Sequence, residues 1–204
     1  SGADPTDHEA MRAYIRALCN AGLAVLFIQP GTKAPADMRT PQKRNADDRA
    51  AREAAREAGR PDWERVRAPA GLALATTDAT TALRYLDKYV EVYSTFTNDD
   101  GAGNQTEPRV VEPVAVSLAL EVGRSRLVTV DCDTAEQTAE FLAMSGAPPD
   151  TPPTVRSPGK MAPDGTWLHR DGGHFHFTIP EDVSLPTEQG SMNLGETGFA
   201  VMWN

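Results

Sequence analysis

The feature that most constrains the fold is a short apolar run that ends in two carboxylates. Residues 127–130 read Leu-Val-Thr-Val, and Asp131, Cys132 and Asp133 follow directly. Runs rich in β-branched residues favour buried strands, and in a strand residues two apart point to the same face. We therefore predict a strand whose end presents Asp131 and Asp133 on one face while Cys132 turns inward.

Helices are predicted on both sides of this strand. Thr6 with Glu9, and Thr134 with Gln137, have the spacing of a capping box, and apolar residues at helical spacing follow each pair. Phe141, Leu142 and Met144 would form the apolar face of the helix that begins at Thr134. The other helices are predicted over about 7–21, 47–58, and 77 or 78 to 93.

Short apolar runs between turn residues predict the remaining strands. Residues 23–28 lie between Gly22 and Pro30, a pattern typical of a strand buried on both faces. The runs 114–120 and 127–130 are separated only by a short segment around Gly123, so we predict neighbouring strands joined tightly. The composition of residues 97–108 predicts a loop. Further strands are predicted at 71–75, 155–157, 174–179 and 199–203.

Length, charge and cysteine content limit the class of protein. With 204 residues the chain can form one self-supporting domain, and we predict a single domain over residues 1–204. Two cysteines are too few for a secreted disulfide framework, and no leader or membrane-spanning run is evident, so we expect free thiols and a cytoplasmic location. The net charge of −9 argues against a generally basic nucleic-acid-binding surface but leaves room for a local groove.

Positive charge is concentrated in a polar excursion at about residues 36–70. Acidic residues are interleaved with the lysines and arginines there. A solvated helix with internal ion pairs therefore explains the segment better than a nucleic-acid-binding surface does.

The acidic pair has the chemistry of a magnesium or manganese site. Two carboxylates on one face supply hard oxygen ligands, and they leave room for substrate phosphates on the metal. The pair also has an ordinary interpretation, as a helix cap that keeps a strand end soluble. Residues 131–133 alone do not decide between the two.

A second group of chemically useful residues begins with adjacent glycines. Gly172 and Gly173 allow a backbone to approach a ligand closely, and the strand that follows places His174 and His176 on one face. Phe175 and Phe177 then point to the other face. An imidazole in this position can donate to a phosphate oxygen or bind a metal.

A third group lies in the loop just before those histidines. Arg156, Ser157 and Lys160 surround a Pro-Gly turn, and His169 and Arg170 follow. Cationic side chains beside a glycine turn are plausible contacts for a triphosphate. An ordinary charged surface loop explains each residue equally well.

Together, and in this order, these segments resemble the bifunctional DNA primase/polymerase branch of the archaeo-eukaryotic primases. The similarity begins at residues 29–35, Gln-Pro-Gly-Thr-Lys-Ala-Pro, and continues through residues 75–78, Ala-Thr-Thr-Asp. Residues 127–133 are similar to the metal-binding Asp-x-Asp of motif I. Residues 153–157, followed by Gly172, Gly173 and His174, resemble the stretch that leads into motif II.

The resemblance implies an α+β fold with an RRM-like catalytic sheet. It implies that Asp131 and Asp133 bind Mg²⁺ or Mn²⁺, that His174 contacts the nucleotide, and that His176 is a weaker second contact. The expected activity is template-directed addition of nucleotides to a 3′ hydroxyl in DNA replication. Expected partners are a single-stranded template, a primer and nucleoside triphosphates, with a C-terminal helicase domain in a longer parent chain.

One part of the family pattern is missing. The family supplies a third carboxylate, motif III, on a strand after motif II, but no aspartate follows Asp182 here. The matching region offers only Asn193 or Glu196. Glu196 replaces the missing group, or the carboxylate lies beyond Asn204, or the domain is catalytically impaired.

Two other functions stay open at this point. His174 and His176 could be the metal-binding pair of a rolling-circle endonuclease, with Tyr85, Tyr89 or Tyr93 as the nucleophile. Alternatively, the domain could be a nucleic-acid-binding module of a replication protein whose polymerase centre has decayed. A phage, plasmid or chromosomal origin is equally consistent with the sequence.

Overall fold

The computed structural model describes residues 3–96, 109–110, 113–157, 159–183 and 190–203. The chain divides into two compact units, Ser1–Glu121 and Val122–Asn204. The single domain expected over residues 1–204 stays a prediction. The loop expected at residues 97–108 lies outside the described residues.

In its described residues, the N-terminal unit combines three α-helices with two small antiparallel sheets. β1 pairs with β4, and β2 pairs with β3. In chain order the elements are α1 (His8–Asn20), β1 (Ala24–Phe27), α2 (Pro41–Glu57), α3 (Ala79–Tyr93), β2 (Thr95–Phe96), β3 (Arg109–Val110) and β4 (Leu118–Glu121).

The core of this unit forms where α1 and α3 meet β1. All four residues of β1 are buried, as expected for a strand covered on both faces. Ile15, Val25 and Leu86 are almost completely shielded from solvent and lie in one cluster. Helix α1 is capped by Asp7, whose carboxylate accepts hydrogen bonds from two backbone amides, so the expectation that Thr6 caps this helix was wrong.

The charged excursion forms helix α2 and its flanking ion pairs, as expected. Arg39 binds Asp37 and Asp47, and Lys43 lies 2.7 Å from Asp47. The helix begins at Pro41, earlier than predicted, because Thr40 accepts a hydrogen bond from the Lys43 amide and Pro41 occupies the first turn.

The C-terminal unit is built on a five-stranded antiparallel sheet in the order β10-β11-β5-β9-β6. A separate hairpin of β7 and β8 precedes the strand β9. The elements are β5 (Leu127–Thr134), α4 (Ala135–Ser145), β6 (Val155–Arg156), β7 (Lys160–Met161), β8 (Trp167–His169), β9 (Asp171–Thr178), β10 (Gly190–Leu194) and β11 (Phe199–Trp203).

Helix α4 covers one face of this sheet. Phe141 packs against Phe175 with ring centroids 4.9 Å apart and against Phe199 with centroids 5.7 Å apart. Val130, Cys132 and Leu142 belong to the same buried cluster. Alternation along the strands therefore turns their polar residues to the opposite face.

Several local predictions were wrong for identifiable reasons. Residues 71–75 form a 3₁₀ turn (Gly71–Leu74) instead of a strand, and Gly71 there has a positive φ of 59°. Met144 is 60% exposed, so it does not belong to the apolar face of α4. Strands β4 and β5 are not neighbours, because β4 pairs with β1 whereas β5 pairs with β9 and β11.

The mixture of helices and antiparallel sheets confirms the α+β class. The more specific expectation, an archaeo-eukaryotic primase fold with an RRM-like sheet, stays a prediction. Within the described part of the chain, no helix has the length and apolar character needed to span a membrane.

Candidate active site

The register of β5 against β9 brings the first carboxylate to the first histidine. Asp131 lies opposite His174, and Thr129 lies opposite His176. Directly opposed residues of antiparallel strands point to the same face, the one that α4 leaves uncovered. His174 Nε2 is 3.1 Å from Asp131 Oδ1, a hydrogen-bonding distance between an imidazole and a carboxylate.

The second carboxylate lies beside a different imidazole. Asp133 is two residues further along β5, and its side chain is 59% exposed. His169, the last residue of β8, has its Nδ1 3.6 Å from Asp133 Oδ1. His169 is expected from the sequence in the loop group beside the Pro-Gly turn, among possible triphosphate contacts, whereas the structure places it on a strand. The Asp164-Gly165 step was a signal for the hairpin that delivers it.

The His176 side chain forms a hydrogen bond with Thr129 of the neighbouring strand. The Thr129 hydroxyl and His176 Nδ1 are 2.9 Å apart, and the His176 amide donates to the Thr154 hydroxyl. Burial lowers the pKa of His176, and the nearby His174 lowers it further. The two rings meet edge to face with centroids 6.1 Å apart. His176 therefore belongs to the same face, one row away from Asp131.

The buried face of the same strands carries no reactive group. Cys132 has no solvent exposure, and burial raises the pKa of its thiol to about 11.

The adjacent glycines allow close packing of the backbone around β9. A Cβ on Gly172 would overlap the Cys132 carbonyl, and a Cβ on Gly173 would lie 2.5 Å from Pro153. The close approach at Gly172 is therefore between β9 and β5, and the close approach of a ligand expected from the sequence stays a prediction.

One of the two residues in the region expected to match motif III, Asn193, has a neutral side chain. Asn193 on β10 lies opposite Ala200 on β11, and Ala200 lies opposite Asp131. Asn193 is therefore on the face of the carboxylates, two strand spacings or about 9–10 Å along the sheet from Asp131. Glu196 lies in the β10–β11 turn, where its amide donates to Glu140 at 2.5 Å.

The other nucleotide-binding candidates are spread around the edge of the sheet. Arg156 lies opposite Gly173, so alternation places it on the face away from His174. The Ser157 hydroxyl accepts a hydrogen bond from the Gly159 amide. Lys160 lies opposite His169 in the β7–β8 hairpin. The structure thus brings together Asp131 and His174, but it does not bring Arg156 to the same face.

The donor set fits a hard divalent cation. Two carboxylates from one strand face match the way magnesium is usually held, by one or two carboxylates with waters and substrate phosphates as the other ligands. Within the described residues, no group of three or more His, Cys, Asp and Glu side chains could enclose a metal ion. Asp131 and Asp133 would therefore need further ligands from water, and from the phosphates when a nucleotide is bound.

The tyrosines of the rolling-circle alternative lie on α3 in the N-terminal unit. Tyr89 has no exposed surface, and its hydroxyl donates to the Ile28 carbonyl at 2.9 Å. A buried hydroxyl that is already donating is a poor nucleophile for DNA. Burial also raises the pKa of Tyr93. Tyr85 is half-buried.

Comparison with known proteins identifies the family. The model of the bifunctional DNA primase/polymerase N-terminal family matches residues 15–195, which include both carboxylates and both histidines of the site. No curated protein and no solved structure matches the chain. Since the match extends over most of the chain, this protein belongs to the bifunctional DNA primase/polymerase N-terminal (Prim-Pol) family.

Proposed function

We propose that the domain adds nucleotides to a 3′ hydroxyl under the direction of a DNA template. Membership of the family implies DNA primase or polymerase activity in general, with DNA and nucleotides as substrates. In our proposal Asp131 and Asp133 hold divalent metal, either Mg²⁺ or Mn²⁺, and His174 contacts the phosphates of the incoming nucleotide.

The observation that carries the proposal is the pairing of Asp131 with His174. A hydrogen-bonding distance of 3.1 Å joins a carboxylate and an imidazole on an uncovered sheet face. Both side chains are partly accessible, 29% for Asp131 and 40% for His174. A triphosphate that reached one of them would therefore also be within reach of the other.

Each residue has a distinct part in the reaction. The bound metals would supply charge stabilisation at the attacking and leaving oxygens. The chain's own contribution is placement: Asp131 and Asp133 provide fixed negative charge on one face, and His174 Nε2 provides a donor. That donor would pass from Asp131 to a phosphate oxygen once Asp131 holds metal. Fixed, pre-oriented charges need little reorganisation when the transition state forms.

The test is incorporation of labelled nucleotide into a primed template in the presence of Mg²⁺ or Mn²⁺. We expect Asp131→Ala combined with Asp133→Ala to lower the rate by roughly 10²–10³-fold or more, the effect typical of removing pre-organised charge stabilisation. We expect His174→Ala to raise the nucleotide KM. Asp182→Ala is the matched control, since it removes an exposed acid from the turn after β9.

The outcomes separate the alternatives. Incorporation that survives the double substitution would show that Asp131 and Asp133 do not hold the catalytic metal. A covalent adduct between the protein and single-stranded DNA, without any need for nucleoside triphosphate, would support the rolling-circle alternative instead.

A second candidate function is favoured by Asn193. An amide at the motif III position supplies one neutral oxygen instead of a carboxylate, which weakens the hold on a divalent metal. A domain that binds template and primer without catalysis would fit that change. Asn193→Asp tests it directly, since a gain in Mn²⁺ affinity and in incorporation would indicate a site weakened at this position.

The wider setting belongs to the same proposal. We infer a cytoplasmic replication protein in which a helicase domain follows this one in the parent chain. The helicase inference rests on the family resemblance, and the cytoplasmic location rests on the low cysteine content. Either de novo priming or extension of an existing primer is compatible with the site, and an unprimed template in the incorporation assay distinguishes them.

A further inference from the structure

The two carboxylates of the site are supported unequally by β9. Asp131 is 29% exposed and lies against His174 of that strand. Asp133 is 59% exposed, and no partner on β9 is recorded for its side chain within the described residues. A carboxylate that must hold a metal in one geometry needs a second group to fix its orientation.

The group available to Asp133 is the imidazole of His169. Its Nδ1 lies 3.6 Å from Asp133 Oδ1. The same Nδ1 is shielded from solvent and has no hydrogen-bond partner among the described residues. Buried polar atoms without a partner are rare in folded proteins. A movement of about 0.6 Å would bring this atom to a normal hydrogen-bonding distance of about 3.0 Å.

The hairpin that carries His169 is well fixed. Lys160 pairs with His169 across β7 and β8, and the Ala162 amide donates to the Thr166 carbonyl at 2.8 Å. Gly159 lies so close to the His169 backbone that a Cβ there would be 2.6 Å from its carbonyl oxygen. Backbone pairing, with a bulge between Lys160 and Met161, and close packing at Gly159 therefore position the segment that carries the imidazole.

We propose that His169 is a positioning residue for Asp133. Its Nδ1 donates a hydrogen bond to Asp133 Oδ1, which fixes the carboxylate and leaves Oδ2 free for the metal. The inference rests on the proposed function, since it matters only if Asp133 binds metal. It adds a residue outside the Asp-x-Asp and Gly-Gly-His segments on which the resemblance depends.

Substituting His169 with asparagine or with glutamine tests which ring nitrogen contacts Asp133. The nitrogen of an asparagine at this position can stand where Nδ1 stands, whereas the nitrogen of a glutamine reaches the position of Nε2. We expect His169→Ala and His169→Gln to weaken Mn²⁺ binding by roughly 10–100-fold, as is typical when an outer partner of a ligand is removed. We expect His169→Asn to restore affinity to within a few-fold of the wild type.

The measurement is a titration of free Mn²⁺ by electron paramagnetic resonance, without nucleotide. Leu168→Ala is the matched control, since Leu168 is the preceding residue of β8 and its side chain is 59% exposed. Thermal melts of each variant report whether the fold is intact. In steady-state assays we expect the Mn²⁺ concentration for half-maximal rate to rise while the rate at saturating Mn²⁺ changes little.

Different results would overturn the inference and the proposed function. Unchanged Mn²⁺ affinity in a folded His169→Ala protein overturns the role of His169 alone. Rescue by glutamine but not by asparagine does so too, because it would place the working atom at Nε2. If wild-type protein binds Mn²⁺ no better than the Asp131→Ala, Asp133→Ala protein does, the metal assignment itself fails.

Discussion

At the residue scale, the site depends on strict alternation along β5. Asp131 and Asp133 face one way, and between them Cys132 is completely buried against α4. The chemistry of the exposed face and the packing of the buried face are therefore set by neighbouring residues. Each face can be tested separately.

For the buried face, we predict that the Cys132 thiol is unreactive in the folded protein. Burial raises its pKa to about 11, so little thiolate is present at pH 8. In a Cys19→Ala background, Ellman's reagent should label Cys132 only when denaturant unfolds the protein. Stoichiometric labelling within minutes under native conditions would show that β5 is not covered as described.

For the exposed face, we predict that His176 makes stability depend on pH. Its folded pKa lies below the ordinary value of 6.5, because of burial and of the nearby His174. The unfolded chain therefore takes up the proton more readily, so this contribution to stability is full above about pH 6.5 and is lost as the pH falls below it.

The measurement is the free energy of unfolding from urea titrations at pH 7.5 and pH 5.0. Wild-type protein should lose more stability between these two pH values than the His176→Asn protein does. Asparagine is chosen because its side chain can still form a hydrogen bond with the Thr129 hydroxyl. Equal losses in the two proteins would contradict the burial of His176.

These faces could be predicted from the sequence because alternation is a local property. The polar side of Asp131, Asp133, His174 and His176 follows from a period of two. The partner of Asp133 could not be predicted in that way. His169 reaches it through the β7–β8 hairpin, whose position depends on packing between segments distant in sequence.

At the element scale, the pairing of β5 with β9 is the contact that builds the site. Gly172 allows it, because a Cβ there would overlap the backbone of Cys132 and Asp133. Glu140 of α4 holds the turn between β10 and β11. Its carboxylate accepts hydrogen bonds from the Glu196 and Thr197 amides and from the Thr197 hydroxyl.

We predict that Gly172→Ala destabilises the C-terminal unit by about 3 kcal/mol, at the upper end of the usual effect of overpacking, since the obstacle is backbone. Urea unfolding measures the change. Thr178→Ala, at the exposed far end of β9, is the control and should have little effect. A neutral Gly172→Ala would mean that β9 does not approach β5 as closely as described.

We also predict that Glu140→Ala loosens the turn between β10 and β11. Hydrogen exchange should become faster at the amides of Glu196 and Thr197, which lose their acceptor. Amides of β9 serve as the internal reference and should exchange at unchanged rates. Unchanged protection of the turn would show that Glu140 does not hold it.

Prediction of elements from the sequence succeeded where a cap or an apolar run was strong. Helix α3 begins after the Asp78 cap and ends at Tyr93, as expected. The strand expected at 71–75 failed because four apolar residues fit a 3₁₀ turn equally well. In the run 114–120, the strand begins only at Leu118. The residues before it are irregular, although Val114 and Val116 are buried.

At the scale of the whole molecule, strand order is the part that the sequence does not reveal. The order β10-β11-β5-β9-β6 places the last hairpin beside the strand of the carboxylates. That arrangement puts Ala200 between Asp131 and Asn193. Of the two residues in the region expected to match motif III, Asn193 therefore lies on the face of the carboxylates, and its side chain is an amide.

The central claim is that Asp131 and Asp133 hold a metal whose nucleotide also contacts His174. Crystals soaked with a deoxynucleoside triphosphate and Mn²⁺, with data collected at the manganese absorption edge, test it directly. We predict an anomalous peak bonded to oxygens of both aspartates, with a phosphate oxygen within hydrogen-bonding distance of His174 Nε2. Manganese bound elsewhere, or a triphosphate remote from His174, would contradict the account.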